Sequence, residues 1–470
     1  MPDQPNILII MSDEHAPQYS SIHGHPLIQS PNMERLAGMG VTFDNAYCNS
    51  PICGPSRMSF MTGRYINRIG TYDNGFPMSS DTITWAHRLQ NVGYDVVISG
   101  KQHFCGPDQL HGFRTQLGRD LHAEQWTRNG VARGAPDWED GIIEAKKPWG
   151  GVKEAGPGTT TSIEVDDQVE EAALAYIKDP ERKEQPWCIN VGFIAPHFPL
   201  VVPQRFWDMY PLDQIDMPEI PKGHLENMHP VYKRMRRMFG LADFSEELVR
   251  RGRAGYYGLI TYLDEKIGRL IDALEETGQL DNTLIVHTSD HGEMNGEHGM
   301  WRKSNMYEAS SRIPLQIAWP GHIPDGLRIS QNVSLVDLIA TIIEASNAST
   351  DIAPLDGDSL IPLINGDTES WKDEAFCEYL AHGIIRPVSM LKKGDYKLNI
   401  SLGDPPELFN IADDPNEFND LSESLEHREI LNSMRERLLE IWGNPEEIER
   451  QVLESQKERR FITAAGGGRV

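Results

Sequence analysis

Cys53 lies in the run Ser50-Pro51-Ile52-Cys53-Gly54-Pro55-Ser56-Arg57 and is the residue here best placed for chemistry. Pro51 and Pro55 fix φ and disfavour helix in the residues before them. Gly54 lets the backbone pass close to whatever the cysteine touches. Arg57 brings a planar guanidinium fork, which matches the oxygens of a sulfate or phosphate group. A single cysteine ahead of a helix is ordinarily a small buried packing residue. The pattern Cys-x-Pro-Ser-Arg, closed by Thr62-Gly63-Arg64, sets this one apart.

Further reactive side chains fall where buried strands end. Residues 6–11 form a continuous apolar run, as in a parallel strand buried on both faces, and Asp13 and Glu14 follow it. Asp13 alone reads equally as a turn cap or a metal ligand. The strand over 94–99 leads to Lys101 and His103. The strand over 187–193 leads to His197, set between Pro196 and Pro199. The strand over 283–288 leads to Asp290-His291-Gly292, and Lys303 comes shortly after. Singly, a Lys-x-His pair is ordinarily a solvated surface pair and a lone histidine is ordinarily structural. Together they mark the carboxyl edge of one sheet, where open α/β folds bind ligands. The grouping predicts a divalent cation held by two carboxylates and an imidazole. It sits beside a nucleophile and is ringed by Arg57, Lys101, His103, His197 and Lys303. Such a cluster stabilises charge on a tetrahedral oxyanion during group transfer.

The elements that position these groups read as α/β: a large mixed, mostly parallel sheet flanked by helices. Helices are expected over 30–40, 57–62, 81–90, 162–177, 245–277 and 333–345. Residues 105–165 and 203–245 read as loops and an irregular surface excursion. From about residue 375 short alternating strands predict a small antiparallel sheet, with a helix over 427–442. This divides the chain into a catalytic unit, 1–372, and a C-terminal subdomain, 373–470. The tail from residue 456 is basic and then glycine-rich, and is expected to reach a neighbouring subunit or to be disordered.

Net charge is -26, which argues against a nucleic-acid partner but leaves room for a local basic pocket that takes a small anion. No apolar run approaches the roughly 20 residues of a membrane span, so no membrane association is expected. No basic leader precedes the first strand, and the five cysteines show neither disulfide-scaffold nor zinc spacing. A cytoplasmic homo-oligomer is the expectation, with Cys48, Cys105, Cys188 and Cys377 as packing residues.

Cys53-Gly54-Pro55-Ser56-Arg57 with Thr62-Gly63-Arg64, supported by Gly100-Lys101-x-His103 and Asp290-His291, resembles the type I, formylglycine-dependent sulfatases of the alkaline phosphatase superfamily. The resemblance implies that a formylglycine-generating enzyme or maturase oxidises Cys53 to formylglycine, whose aldehyde hydrate is the nucleophile. It implies calcium, with manganese or magnesium as alternatives, at Asp13, the matured Cys53, Asp290 and His291, with Glu14 as a further acidic position. It gives Arg57, Lys101, His103, His197 and Lys303 catalytic roles on a sulfate monoester. Tyr72-Asp73-Asn74, Gly106-Pro107-Asp108-Gln109-Leu110-His111-Gly112-Phe113 and Glu378-Tyr379 are most similar to choline-sulfatase-like enzymes, which cage a quaternary ammonium with Trp and Glu side chains. Trp126 and Glu378 are the candidate cage residues, and Asn74 either donates to substrate or makes a turn. Arg386, beside Glu378, opposes a cation, which weighs against choline sulfate and leaves aryl, alkyl and sugar sulfates as the expectation. A phosphonate monoester or phosphodiester hydrolase of the same superfamily is the alternative enzyme. A non-catalytic sulfate-ester-binding relative with unconverted Cys53 is the alternative of a different class.

Overall fold

The structure, a computed structural model, describes residues 4–121, 151–241 and 244–465. The strands in chain order are β1 Asn6–Asp13, β2 Gly40–Tyr47, β3 Asp95–Gly100, β4 Thr115–Gln116, β5 Gly156–Pro157, β6 Trp187–Pro196, β7 Val201–Val202, β8 Thr283–Ser289, β9 Arg312–Ala318 and β10 Leu327–Ser334. The C-terminal part adds β11 Glu374–Tyr379, β12 Val388–Lys393, β13 Tyr396–Ser401 and β14 Glu407–Asn410. The main sheet runs in the order β10-β2-β9-β8-β1-β6-β3-β4. Its pairs are parallel except those of β9, which is antiparallel to β2 and β8.

Burial explains the apolar runs. Ile7, Leu8, Ile9, Ile10 and Met11 of the central β1 have no exposed surface, since side chains on both faces meet helices. The helices Thr161–Lys178 and Glu246–Glu276 pack on β6 and on each other, while Cys53–Thr62, Trp85–Asn91 and Leu335–Ala345 form a second group. The parallel register brings Ser12 opposite Ser289, and Asp13 opposite Pro196. The carboxyl ends of β1, β6 and β8 therefore lie side by side, with β3 next to β6.

The second sheet, β11-β12-β13-β14, is antiparallel throughout, as the alternating pattern predicts. The helix Arg428–Trp442 covers it with Met434, Leu438 and Trp442. Several local expectations differ from the structure: the excursion expected to be irregular over 203–245 holds a helix, Pro230–Met238, and the helix expected over 81–90 starts only at Trp85, capped by Thr84. The helix expected from Arg57 begins at Cys53, because Gly54 and Pro55 fall in its first turn, where a missing amide donor costs nothing. Residues 333 and 334 close β10, and the helix there starts at Leu335. The tail forms a helix, Pro445–Ala465, whose Ile448, Val452 and Gln456 are buried against the same chain.

Lys397 on β13 ties the two sheets' regions together. Its ammonium is fully buried, 2.9 Å from Glu308 and 2.8 Å from Glu417. Removing one partner of a buried ion cluster leaves the other charges unpaired. Lys397→Met is expected to lower the unfolding free energy by about 3–5 kcal/mol, read from urea denaturation. A loss under about 1 kcal/mol would show that the two carboxylates find other partners.

Candidate active site

The site starts from the way β2 gives way to the helix Cys53–Thr62. Ile52 is extended (φ -158°, ψ 142°) and Cys53 is the first helical residue. The positive end of the helix dipole therefore lies at Cys53 and favours negative charge there. A Cβ at Gly54 would lie 3.1 Å from Asn74 Oδ1 and 3.2 Å from Asn74 Cα. Only glycine lets the Gly54 amide donate to Asn74 Oδ1 at 2.8 Å without displacing that residue.

Cys53 Sγ lies 3.1 Å from His291 Nε2 and 3.6 Å from Asp13 Oδ1. His291 Nε2 is also 3.6 Å from Asp290 Oδ1 and 3.8 Å from Asp13 Oδ1. Ligand atoms of Asp13, Cys53, Asp290 and His291 all fall within 4.8 Å of one another, and all four residues are buried. His291 Nδ1 donates to the Gly292 carbonyl at 2.9 Å, which leaves the Nε2 lone pair facing the cluster. Burial pulls the His291 imidazole down, but Asp290 and Cys53 outweigh it and push it up to about 10. Negative charge that grips a proton so firmly is what a divalent cation would neutralise, and the hard oxygen and imidazole donors suit one. The residues fit the metal that the motif implies. Gly292 has its own steric reason, since a Cβ there would sit 2.1 Å from the Ala309 carbonyl oxygen.

Cations surround this cluster. Lys101 Nζ is ion-paired with Asp13 Oδ2. Burial raises the Asp13 carboxyl, as does Cys53, yet Lys101, His197 and Arg57 hold it well below the usual carboxylate range. The Cys53 thiol is likewise pushed up by burial, but Lys101, Lys303, His291 and a hydrogen bond with His103 bring it far below its ordinary value. Arg57 differs from the sequence expectation. Its Nε donates to Asp290 Oδ2 at 2.8 Å, Nη1 to the Lys101 carbonyl at 2.7 Å, and Nη2 lies 3.5 Å from Asp13 Oδ2. The fork is engaged with protein oxygens, so it braces the acidic residues instead of offering both arms to a substrate.

Glu14 stands outside the cluster of Asp13, Cys53, Asp290 and His291. Its backbone takes φ 67°, and its oxygens lie 3.0 Å from Lys303 Nζ and 3.1 Å from His197 Nε2. It forms a separate grouping with Asp13 and His197. His103, also at positive φ (60°), brings Nε2 to 3.1 Å from the Asn74 carbonyl. Positive φ at non-glycine residues costs of order 1–3 kcal/mol and persists only where surroundings impose it. At His103 the Asp120 carboxylate imposes it, accepting from the Gln102 and His103 amides at 2.8 and 2.9 Å.

The substrate-side expectations fare unevenly. Asn74 is beside the nucleophile, but its side-chain oxygen is taken by Gly54. Trp126 lies outside the described residues. Glu378 is fully buried, with Oε1 accepting from the Asn67 amide at 2.9 Å and Oε2 from Trp442 Nε1 at 3.0 Å. Arg386 pairs with Glu449 at 2.9 Å. Glu378 and Arg386 thus anchor C-terminal helices, because the nearest partners for their charges come from residues far along the chain. Glu378→Ala is expected to lower stability by about 1–3 kcal/mol, since two donors lose their acceptor. The ratio of kcat/KM on choline sulfate to that on an aryl sulfate should stay unchanged, and a collapse of that ratio would restore the cage role.

Sequence reasoning missed Asp120, His382, Glu293 and Ser56. Ser56 Oγ donates to the Asp290 carbonyl at 2.5 Å. His382 Nε2 accepts from the Asn74 amide at 3.2 Å, and Glu293 accepts from the Asn295 and Arg302 amides at 2.8 Å each. Ser56 was within reach, as part of the motif. The others sit on loops with no local signal.

A mostly parallel sheet carrying a buried carboxylate–imidazole cluster against a helix-borne cysteine defines a hydrolase of the alkaline phosphatase-like class. The chain belongs to the Sulfatase family, whose model matches residues 5–348, and is a sulfuric ester hydrolase. A model described as N-sulphoglucosamine sulphohydrolase, C-terminal, matches residues 296–443. The choline-sulfatase of Rhizobium meliloti (strain 1021) is 36% identical over 480 residues, 98% of this chain and 91% of that protein. The arylsulfatase of Clostridium perfringens (strain 13 / Type A) is 28% identical, covering 94% and 95%. The phosphonate monoester hydrolase of Agrobacterium radiobacter superposes with a TM-score of 0.77 at 25% identity, covering 93% and 95%. A structure in complex with its substrate D-glucosamine-2-N,6-O-disulfate gives 0.74 at 25%, covering 96% and 99%. Among the described residues no helix is long and apolar enough to cross a membrane.

Proposed function

We propose that this protein hydrolyses a sulfate monoester to an alcohol and inorganic sulfate, with formylglycine at position 53 and a divalent cation, calcium first, beside it. The reading is carried by the grouping of Asp13, Cys53, Asp290 and His291 within 4.8 Å. The Cys53 thiol stands in for the oxygen-bearing group that a formylglycine-generating enzyme or maturase would leave there. When present, the matured residue supplies a hydrated aldehyde as nucleophile and the cation supplies Lewis acidity beside it.

The protein's own side chains do the rest. Asp13, Asp290 and His291 Nε2 would hold the cation, and Arg57 keeps the two carboxylates in place. Lys101 and Lys303 balance negative charge on the tetrahedral group, in a buried setting where such interactions are strong. His103, His197 and Lys303 are the proton donors at hand for the departing alkoxide oxygen, and a histidine returns as base. Glu14 orients Lys303 and His197 from behind. Similarity to the choline-sulfatase and arylsulfatase supports a small sulfated alcohol or phenol.

The likeness to a phosphonate monoester hydrolase supports a second reading, since sulfate and phosphonate esters present the same tetrahedral shape. Parallel kinetics on 4-nitrophenyl sulfate and a phenylphosphonate ester separate the two. The proposal expects the larger kcat/KM on the sulfate. A dominant phosphonate rate would overturn it in favour of the second reading.

A further inference from the structure

The helix Pro445–Ala465 lies beyond the residues matched by either family model, yet one of its faces meets the two loops that flank the nucleophile. Ile448, Val452 and Gln456 recur at helical spacing on that face and are buried. Arg459 extends the same face. Its Nη1 donates to Asp73 Oδ1 at 2.9 Å, its Nη2 pairs with Asp73 Oδ2, and its Cζ sits 5.1 Å from the centre of the Phe76 ring. The Asp73 carboxylate has no exposed surface. It also accepts from the Gly75 amide at 2.9 Å, so Arg459 grips a turn that the same carboxylate closes. Earlier on the helix, Gln451 accepts from Tyr72 OH at 3.4 Å and Glu449 holds Arg386 at 2.9 Å.

Asn74 is the next residue along, and each of its polar backbone and acceptor groups has a partner at the site. Its side-chain oxygen accepts from the Gly54 amide, its carbonyl from His103 Nε2 and from Cys105 Sγ at 3.2 Å, and its amide donates to His382 Nε2. The covalent path from Asp73 to these contacts is a single peptide bond. A displacement of the Asp73 turn therefore moves Asn74, the amide beside Cys53 and the acceptor of His103 together.

We propose that Arg459 is a positioning residue for the reaction: through Asp73 it fixes Asn74, and so holds His103 and the start of the Cys53 helix in working geometry. This rests on the sulfatase reading above. The contacts of Arg459 with Asp73 and Phe76 lie away from the grouping of Asp13, Cys53, Asp290 and His291. A bidentate guanidinium–carboxylate pair fixes orientation as well as distance, which lysine cannot reproduce.

The test uses full-length, matured, metal-loaded enzyme, with rates normalised to the formylglycine fraction from mass spectrometry. Arg459→Ala is expected to lower kcat on 4-nitrophenyl sulfate by about ten- to a hundredfold, with KM moving less than about threefold, as for misplacement of groups already bound. Millimolar guanidinium should restore part of the lost rate, and Arg459→Lys should fall between. Arg450→Ala, on the exposed face of the same helix, should behave as wild type. Hydrogen exchange in 71–78 should quicken in Arg459→Ala while the Cys53–Thr62 helix stays protected. If Arg459→Ala does not fold, Arg459→Lys is read by the same criteria. Unchanged kcat and unchanged exchange would overturn the proposal, as would a lower melting point with kcat intact. A wild-type enzyme without turnover on any sulfate ester would instead overturn the sulfatase reading, and the exchange data alone would then decide the clamp.

Discussion

Cys53→Ala is expected to lower turnover of a sulfate monoester by about 10⁴-fold or more, the scale seen when a nucleophile is deleted, while the fold survives. Cys53 is only 2% exposed and opens a helix whose residues are all buried. Alanine keeps helical backbone there and fills most of the volume. The thiol's partners, Asp13, His291 and His103, lie among charges and not in an apolar core, so its removal takes little packing energy away. Cys53→Ser should be equally inactive, because its hydroxyl does not become an aldehyde hydrate. Nitrophenolate release measures the first claim and the urea midpoint the second. Loss of activity with collapse of the fold would leave a structural cysteine as the simpler account.

Asp290→Ala is expected to act on both quantities at once. One oxygen of Asp290 accepts from Arg57 Nε at 2.8 Å, and the other faces His291 Nε2 and accepts from the Glu14 amide at 3.2 Å. Arg57 is 1% exposed, so its guanidinium would remain buried with Asp13 as its sole carboxylate partner among these. Breaking such a pair costs about 3–5 kcal/mol. The proposed cation site would lose one of its two carboxylates, and turnover should fall by about 10³-fold or more, as charge stabilisation in the transition state is lost. Metal content by mass spectrometry should drop with it, and excess calcium should not restore the rate. A variant that keeps bound metal and stability would place the cation elsewhere.

The parts of the fold that could be read from the sequence were those buried on both faces. β1, β6 and β8 leave no alternation between exposed and buried positions, so they stand out as apolar runs, and Asp13, His197 and Asp290 follow directly from where those runs stop. β10 was hidden because it is an edge strand, with Arg328 and Ser330 exposed and polar residues along its length. The start of the Cys53 helix was hidden because glycine and proline signal a break everywhere except in a first turn. The helix Pro445–Ala465 carries nine charged residues among its 21, and its tie to the site, Arg459 on Asp73, joins residues 386 apart. Glu378 is singled out by the Glu378-Tyr379 motif and Arg386 by its charge, and neither signal shows which groups their side chains meet. Their partners, Trp442 and Glu449, could be assigned only once the C-terminal helices were in place. Arg57 was legible as a site residue, but not that its fork would be engaged by Asp290 and the Lys101 carbonyl.

The most direct test of the central claim is intact mass at Cys53 set against turnover. Preparations made with graded amounts of maturation enzyme are digested, and the peptide bearing residue 53 is weighed. Conversion of the thiol to the aldehyde lowers its mass by about 18 Da, a covalent change of the kind that rewrites a site's chemistry. Sulfate ester turnover is predicted to rise in proportion to the converted fraction, from near zero in unconverted protein. Full turnover from protein whose residue 53 still alkylates as a free thiol would contradict the account.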